Sequence, residues 1–332
     1  MQLENEIEML QDSFGRTFKY LRLSLTKRCN FQCNYCLPNG YDKSNIRGEL
    51  SAVEFTNLAK AFVELGVQKI RLTGGEPTLR HDFFEIAHNL SQIEGLSVAL
   101  TTNGFKLKEN AAKYLAAGIK NINISIDSLN EDSFKAITKT NLLPNILDGL
   151  HTALSLPFNK VKVNVVLLKN YNFNMIEKYL DLVKNTPLDV RFIELMPTQD
   201  NKNFYMSEYV SSKDLQNYLQ NAGWNLAEKT ETDGPANNFV NKNYSGRIGI
   251  INPYNSSFCD NCNRLRVDSY GDLILCLLNF GKQPLREYLQ QSSQKEELKL
   301  AIIKALNIKP EKNLLNSDKD LLANSNFSQI GG

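Results

Sequence analysis

The sequence predicts an α/β fold in which an open (β/α)6 partial barrel is followed by a C-terminal extension. Six short β-like runs recur along residues 1–200, with helical patterns between them. This alternation stops after about Met196. Alternating strands and helices are typical of parallel strands joined by crossover helices. We therefore assign residues 1–200 to the barrel core and residues 201–332 to the extension, although the periodicity alone also fits a doubly wound sheet.

The strands and helices of the core are predicted from apolar runs and apolar spacing. The β-like runs are Tyr20–Thr26, Lys69–Thr73, Ser97–Thr102, Asn121–Asp127, Val161–Leu168 and Asp189–Met196. The helical segments are Ser51–Leu65, Asp82–Leu90, Leu107–Ala117, Glu131–Ile137, Leu143–Leu154 and Asn174–Val183. The first helix is the clearest, because Ser51 and Glu54 form a capping box ahead of its apolar face. In barrels of this kind the chemistry takes place at the C-terminal ends of the strands.

The extension contains fewer regular patterns. Asn201–Tyr209 is polar, whereas Ser211–Ala222 has helical spacing. Asn263–Asp268 and Asp272–Leu277 flank Ser269-Tyr270-Gly271, which is a good turn sequence. We therefore predict a β-hairpin in this part of the extension.

The composition is that of an ordinary soluble globular protein, with 42% apolar and 22% charged residues. The net charge of +2 gives no general case for binding to nucleic acid or to a membrane. The N-terminus has neither the basic start nor the apolar stretch of a signal peptide. We therefore expect a cytoplasmic protein with reduced cysteines.

All six cysteines fall into two triplets. They are Cys29, Cys33 and Cys36, spaced C-x3-C-x2-C, and Cys259, Cys262 and Cys276, spaced C-x2-C-x13-C. The predicted hairpin would bring Cys276 back beside Cys262. Because structural zinc sites are closed by four ligands, three thiolates predict a metal centre with an open position. The alternatives are a structural zinc loop for either triplet and buried free thiols for the first.

Basic residues recur within the predicted strands. Arg22, Arg71, Lys162 and Arg191 lie in strands one, two, five and six, and Arg264 and Arg266 follow the second triplet. Residues two apart on a strand point to the same face. Because a buried unpaired charge is costly, a basic barrel interior predicts a polyanionic ligand. Guanidinium groups are suited to bidentate binding of phosphate.

The first triplet resembles the signature of the radical S-adenosylmethionine (SAM) superfamily. Tyr35 precedes its third cysteine, and Gly74-Gly75-Glu76-Pro77 follows the second strand, as in that superfamily. The resemblance implies a partial barrel of the radical SAM type, with a 4Fe–4S cluster on Cys29, Cys33 and Cys36. It also implies that SAM is the co-substrate. The residues implied to contact SAM are Tyr35, Gly74, Gly75, Glu76, Ser125 and Met196.

From about Phe14 to Gly332 the chain resembles the GTP 3′,8-cyclases of molybdenum cofactor biosynthesis. The resemblance is carried by both triplets, by the strands that contain Arg22, Lys162 and Arg191, and by the terminal Gly-Gly. It implies a second 4Fe–4S cluster on Cys259, Cys262 and Cys276. The implied GTP contacts are Arg22, Arg71, Thr101, Lys162, Arg191, Arg264 and Arg266. Of these, Arg264 and Arg266 would also be catalytic, together with Gly331 and Gly332.

The implied reaction is radical cyclisation of GTP to (8S)-3′,8-cyclo-7,8-dihydroguanosine 5′-triphosphate. The implied partners are GTP, an external electron donor and cyclic pyranopterin monophosphate synthase as acceptor of the product. A homodimer is left open, and neither nucleic acid nor membrane is expected as a partner.

The sequence departs from the family at Lys27, where the family usually has Asp. The charge beside the first cluster is thereby reversed. Two other functions stay open at this point. One is a radical SAM enzyme that matures peptides, although such enzymes usually carry more cysteines in the extension. The other is a non-catalytic protein stapled by zinc or carrying iron–sulfur clusters for electron transfer.

Overall fold

The computed structural model describes residues 9–41, 48–228, 234–255, 257–277, 281–313 and 327–329. Its central strands are β1 (Tyr20–Ser24), β2 (Lys69–Thr73), β3 (Ser97–Thr102), β4 (Asn121–Ser125), β5 (Lys160–Leu167) and β6 (Asp189–Glu194). These six strands are neighbours in sequence order, and each pairs in parallel with the next. A doubly wound sheet would reverse its strand order at a switch point. The consecutive order therefore fits the predicted open partial barrel.

Helices connect the strands of the core as predicted. They are α1 (Ala52–Glu64), α2 (Phe83–Ser91), α3 (Leu107–Ala116), α4 (Glu131–Thr138), α5 (Leu143–Ser155) and α6 (Ile176–Lys184). The capping box is confirmed, because Glu54 N–H donates to the Ser51 hydroxyl and Ser51 N–H donates to the Glu54 carboxylate. None of the described helices is both long and apolar enough to cross a membrane.

The extension lengthens the same sheet at both edges. Its strands are β7 (Asn225–Leu226), β8 (Asn237–Val240), β9 (Arg247–Ile251), β10 (Arg264–Val267), β11 (Asp272–Ile274) and β12 (Lys282–Pro284). β9 pairs in parallel with β6, and β10 pairs in parallel with β1. The predicted hairpin is confirmed, since β10 and β11 are antiparallel with Arg266 opposite Ile274. The division into domains at residue 200 stays a prediction.

Four α-helices lie in the described part of the extension. They are α7 (Lys202–Glu208), α8 (Ser212–Asn221), α9 (Ser257–Asp260) and α10 (Lys295–Leu306). The predicted helix at 211–222 is confirmed as α8. In contrast, α7 lies in the polar segment after Met196, for which the sequence pattern indicated no helix. α10 packs against α1 of the core, so the extension covers part of the outer helical layer.

The two faces of the sheet differ sharply in chemistry. The face toward the helices is apolar, and its side chains belong to the main core: Leu21, Leu23, Ile70, Leu72, Val98, Leu100, Ile122, Ile124, Val163, Val165, Val190 and Phe192. The opposite face, inside the barrel, carries the alternate residues. Most of these are polar or charged: Tyr20, Arg22, Lys69, Arg71, Thr101, Asn121, Asn123, Lys162, Asn164, Asp189 and Arg191. The interior of the barrel is therefore a polar surface backed by an apolar core.

Candidate active site

The first cysteine triplet lies in the loop that follows β1. Cys36 N–H donates to the Cys33 carbonyl at 3.0 Å, and Phe31 N–H donates to Sγ of Cys29 at 3.4 Å. Burial raises the pKa of Cys29 to about 11. Burial, Asp127 and the other two cysteines raise the pKa of Cys33 well above its usual range. The three thiols are thus close enough to disfavour one another's thiolates, which fits a donor set completed by cationic iron.

The Gly74-Gly75 turn after β2 packs directly on this loop. Gly75 N–H donates to the Thr26 carbonyl at 2.7 Å. A Cβ on Gly74 would lie 2.5 Å from Thr26 O, and a Cβ on Gly75 would lie 2.2 Å from Arg28 O. Because both distances are far below van der Waals contact, the backbone requires glycine at both positions. The two glycines hold the loops after β1 and β2 together, and their contact with SAM stays a prediction.

Glu76 is fully buried behind the same turn. Its carboxylate accepts hydrogen bonds from the Thr78 hydroxyl at 2.6 Å, the Thr102 hydroxyl at 2.8 Å and Asn103 N–H at 2.7 Å. Burial raises the pKa of Glu76 in spite of these donors. Asn103 in turn donates its side-chain amide to Asn30 in the cysteine loop at 2.9 Å. Glu76 therefore links the loop after β2 to the loop after β3, and Asn103 links that loop to the cysteine loop.

The other predicted SAM contacts lie at the C-terminal ends of the central strands. Ser125 ends β4, in register with Asn164 of β5. The Tyr35 hydroxyl donates to the Asp127 carboxylate at 2.7 Å, just beyond the end of β4. Met196 follows β6 and packs against the same apolar cluster as Cys36. The structure thus brings these residues to the mouth of the barrel beside the first triplet.

A small apolar cluster brings together residues of the first triplet, the end of β6 and the hairpin segment. Ile274 and Phe327 form its centre, and Cys36, Met196 and Leu277 pack against them. The backbone of Ser328 also donates to the thiol of Cys36. The last described segment of the chain therefore lies beside the first triplet. Gly331 and Gly332 themselves lie outside the described residues.

The predicted GTP contacts share the inner face of the sheet. The register places Arg22 beside Arg266 on one side and beside Arg71 on the other. Lys162 lies beside Asn123 and Asp189. The remaining predicted contacts occupy alternate positions of the same strands and share this face: Thr101, Arg191 and Arg264. The sheet therefore collects basic side chains from five strands on one surface.

Arg71 is held in place by the sheet around it. Its Nε donates to the Tyr20 hydroxyl at 2.6 Å, and its Nη1 donates to Leu100 O at 2.8 Å and to the Thr101 hydroxyl at 3.3 Å. Burial opposes ionisation of Tyr20, but Arg71, Arg22 and Lys69 together lower the pKa of its phenol to about 7. Tyr20 therefore partly balances the positive charge of the inner face.

The buried cations of the inner face repel one another. Burial, with Arg71 and Arg264 nearby, lowers the pKa of Arg22 to about 10. Burial and then Arg191 lower the pKa of Lys162 to about 7, although Asp189 opposes the shift. Within the described structure, Nε of Arg191 is buried without a hydrogen-bond partner. Buried cations that repel one another favour an anionic ligand.

The second triplet is assembled by the hairpin and by the segment after α10. Cys262 N–H donates to the Cys259 carbonyl at 3.0 Å, and Asn313 N–H donates to Sγ of Cys259 at 3.4 Å. Lys309 lies near both Cys262 and Cys276, which oppose the lowering of its pKa by burial. Burial opposes ionisation of Cys262, but Lys309 and Arg264 lower the pKa of this thiol. The hairpin thus brings Cys262 and Cys276 close to the same ammonium group, that of Lys309. This agrees with the turn predicted between them.

The two triplets lie toward opposite ends of the strands. The first follows the C-terminal end of β1, whereas Cys262 precedes the start of β10, which runs parallel to β1. A strand of this length spans roughly 16 Å at about 3.3 Å per residue. Among the described residues, no group of three His, Cys, Asp or Glu side chains has an arrangement that could hold a single metal ion. An iron–sulfur cluster needs a different arrangement, because each thiolate ligates a different iron.

Comparison with known proteins identifies the family. Residues 23–183 match the Radical SAM superfamily, and residues 188–315 match Molybdenum Cofactor Synthesis C. The GTP 3′,8-cyclase of Actinobacillus pleuropneumoniae serotype 5b (strain L20) is 42% identical over 330 residues, which cover 99% of this chain and 97% of that relative. The GTP 3′,8-cyclase of Haemophilus influenzae (strain PittGG) is 44% identical over 97% of this chain and 96% of that relative. The chain belongs to the GTP 3′,8-cyclase family.

Solved structures support the fold of this cyclase family member. The crystal structure of Streptococcus suis SuiB bound to S-adenosylmethionine matches with a TM-score of 0.61 and 12% identity. The match covers 82% of this chain, which spans 64% of the SuiB chain. At this identity the likeness concerns the fold alone. It agrees with the predicted partial barrel of the radical SAM type.

Family membership confirms the prediction of a radical SAM enzyme. The peptide-maturing alternative shares the barrel, but the full-length relatives are GTP 3′,8-cyclases. A protein without catalytic activity has no support among these relatives. The individual SAM and GTP contacts stay predictions.

Several side chains of the cyclase site were not predicted from the sequence. Tyr20, Lys69, Asp189 and Arg247 lie among the predicted GTP contacts on the inner face. Tyr20, Lys69 and Asp189 each stand two residues before a predicted arginine, in Tyr20-x-Arg22, Lys69-x-Arg71 and Asp189-x-Arg191. Residues two apart on a strand point to the same face, so this spacing would have predicted that these three side chains lie on the inner face with the arginines.

Lys27, where the family usually has Asp, faces the extension. Its ammonium nitrogen lies 4.2 Å from the centroid of the Tyr270 ring, and its backbone N–H donates to the Glu49 carboxylate at 3.2 Å. A cation over an aromatic face is stabilised by the ring quadrupole. The reversed charge is therefore accommodated by the turn of the β10–β11 hairpin.

Proposed function

We propose that this chain converts GTP to (8S)-3′,8-cyclo-7,8-dihydroguanosine 5′-triphosphate, the first step of molybdenum cofactor biosynthesis. The observation that carries the proposal is the inner face of the barrel. Basic side chains from neighbouring strands line this face between two cysteine triplets. Such a face would bind the anionic triphosphate of a nucleoside triphosphate, and the base would extend beyond the basic side chains. The full-length relatives are GTP 3′,8-cyclases, and this name describes the proposed reaction.

Membership of the family implies SAM and two 4Fe–4S clusters, in agreement with the sequence prediction. The thiols of Cys29, Cys33 and Cys36 would hold the first cluster. Those of Cys259, Cys262 and Cys276 would hold the second. With three cysteines each, both clusters would keep one iron open to another ligand. When bound, the first cluster and SAM supply the 5′-deoxyadenosyl radical that removes hydrogen from C3′ of the ribose.

The residues at the barrel mouth would orient SAM. Tyr35 offers an aromatic side chain for the adenine, and the hydrogen bond from its hydroxyl to Asp127 limits its rotation. Ser125 and Met196 would contact SAM from the ends of β4 and β6. The Gly74-Gly75 turn and Glu76 keep the loops around the cofactor together.

The inner face would fix GTP by charge and geometry. Arg22, Arg71, Lys162 and Arg191, with Arg264 and Arg266, would contact the triphosphate and ribose, and Thr101 would add a hydroxyl. The open iron of the second cluster would bind the guanine. Catalysis then depends on holding C3′ beside SAM and keeping water away from the radical, because a productive orientation replaces acid–base catalysis.

The C-terminal Gly331 and Gly332 are proposed to enter this space. Phe327 and Ser328 lie beside Cys36, which supports a path for the tail toward the substrate.

Further proposals are an external electron donor, transfer of the product to cyclic pyranopterin monophosphate synthase, and a cytoplasmic location. A homodimer belongs with these proposals.

The function is tested by product analysis. The anaerobically reconstituted protein is incubated with GTP, SAM and dithionite, and products are separated and analysed by mass spectrometry and NMR. The proposal expects an isomer of GTP with a new C3′–C8 bond and one equivalent of 5′-deoxyadenosine. Cys33→Ser is the control that should form neither. Consumption of SAM without any change in GTP by a protein with both clusters loaded would refute the proposal.

A further inference from the structure

Asn201 joins two segments that are far apart in the chain. It immediately precedes α7 and is buried, with 1% of its surface exposed. Its side-chain nitrogen donates to the Tyr35 carbonyl at 2.8 Å and to the Met196 carbonyl at 3.1 Å. Its side-chain oxygen accepts from Thr198 N–H at 2.8 Å. Both amide donors and the acceptor are therefore used in fixed contacts.

The same tyrosine is held at its other end. The Tyr35 hydroxyl donates to one oxygen of Asp127 at 2.7 Å, and the second oxygen accepts from Val166 N–H at 2.8 Å. Asn172 donates to the carbonyls of Asp127 and Val166, both at 2.7 Å. Tyr35 is thus fixed through its backbone by Asn201 and through its ring by Asp127.

We propose that Asn201 is a positioning residue that sets the SAM-binding geometry by fixing Tyr35 relative to Met196. The proposal rests on the proposed function only in taking these two residues as SAM contacts. One residue just outside the barrel core would then align the cysteine loop with the end of β6. A side chain that is 1% exposed cannot replace these contacts with bulk water.

Asn201→Asp is the sharpest variant, because it keeps the size of the side chain and removes both donors. A carboxylate oxygen would then face two carbonyl oxygens. Two lost hydrogen bonds of about 1 kcal/mol each correspond to roughly thirtyfold in SAM affinity if their whole contribution goes to placing Tyr35 and Met196. Asn203→Asp, an exposed change of the same chemistry two residues along the chain, is the matched control.

The measurement is cleavage of SAM by the reconstituted holoenzyme with dithionite and without GTP. Its outcome therefore does not depend on whether GTP is the substrate. For Asn201→Asp we expect a KM for SAM at least tenfold above that of the native protein, with a maximal rate within about threefold. GTP affinity, measured separately by calorimetry, should be unchanged, and Asn203→Asp should match the native protein throughout. A change in GTP affinity equal to that in the KM for SAM would show a general structural role and overturn the proposal.

If Asn201→Asp does not assemble its first cluster, Thr198→Val decides the question. The Thr198 hydroxyl accepts from Asn201 N–H at 3.2 Å, so its loss loosens Asn201 without adding charge. We expect the KM for SAM to rise two- to tenfold with normal cluster content. A native KM in this variant, or in Asn201→Asp with its cluster loaded, would contradict the assignment.

Discussion

The ammonium nitrogen of Lys162 lies 3.0 Å from the carboxylate of Asp189 on the neighbouring strand. The same carboxylate accepts two hydrogen bonds from Arg247 at 2.9 Å each. Asp189 thus holds a lysine of β5 and an arginine of β9, the strand that the extension adds beside β6. Asp189 therefore opposes the lowering of the pKa of Lys162 by burial and by Arg191.

We predict that Asp189→Asn makes GTP binding more sensitive to pH. Burial and Arg191 lower the pKa of Lys162 to about 7, and the loss of the Asp189 charge should lower it further. Because a triphosphate favours the protonated lysine, GTP binding should weaken as the pH rises through this pKa. The decline should begin at lower pH in the variant.

Calorimetry with GTP between about pH 6 and pH 9 checks this prediction. Arg191 and Lys160 also lower the pKa of Lys162, so Lys160→Gln is a useful comparison. A pH profile for Asp189→Asn that coincides with that of the native protein would contradict a role of Asp189 in keeping Lys162 protonated for GTP binding.

The two cysteine triplets should have separable roles. Cys29→Ser, Cys33→Ser or Cys36→Ser should abolish SAM cleavage, because only this triplet lies against the Gly74-Gly75 turn. Serine at a position of the second triplet should leave some SAM cleavage that is uncoupled from GTP. The measurement is 5′-deoxyadenosine formation, with iron content determined first. Loss of cleavage in a folded variant with an intact first cluster would argue against this division.

Arg264→Ala and Arg266→Ala should weaken GTP binding more than SAM binding. Each removes a charge-assisted contact of about 1.5–3 kcal/mol, or roughly ten- to a hundredfold in affinity. Arg286→Ala is the control, because Arg286 pairs with Glu54 on the outer helical layer. Calorimetry with both ligands distinguishes a binding role from a structural one, in which both affinities would fall together.

The two cysteine triplets have different charged neighbours. Burial and Asp127 raise the pKa of Cys33, whereas Lys309 and Arg264 lower that of Cys262 against burial. Because nearby cations favour the reduced, more negative state of a cluster, Lys309→Gln should lower the midpoint potential of the second cluster. Redox titration followed by EPR should show this shift and an unchanged first cluster. An equal shift of both potentials would contradict a local effect.

Removal of Gly331 and Gly332 should stop GTP turnover while both clusters and uncoupled SAM cleavage persist. Glycine is the residue whose backbone can approach a bound ligand most closely. A double Gly331→Ala, Gly332→Ala variant separates the need for small residues from the need for the tail itself. Normal cyclic product from both proteins would show that the tail has no part in catalysis.

Local sequence patterns were sufficient for the core of the fold. Lys69–Thr73 and Ser97–Thr102 are strands with the predicted bounds. The predicted first strand extended to Thr26, but β1 ends at Ser24, before the Thr26 carbonyl accepts from the Gly75 turn. α7 was not predicted because its segment is polar and short.

The additions at the sheet edges depend on pairing between distant parts of the chain. β10 pairs with β1, which lies about 240 residues earlier in the chain. A local sequence pattern cannot predict pairing over such a distance. In the site, the cysteines and arginines were found from their spacing and from family resemblance. Asp189 was missed, although its two-residue spacing from Arg191 would have predicted it on the inner face. Asn201 was missed because it belongs to no motif and acts through Tyr35, which lies on another segment.

The most direct test of the account uses GTP carrying deuterium at C3′ of the ribose. If the inner face holds this carbon beside SAM, one deuterium should appear in 5′-deoxyadenosine during turnover. GTP labelled at C2′ or C4′ should transfer none. Transfer of deuterium from C3′ alone is the predicted result. Formation of unlabelled 5′-deoxyadenosine from the C3′-labelled substrate, alongside cyclic product, would contradict the proposed placement of GTP in the barrel.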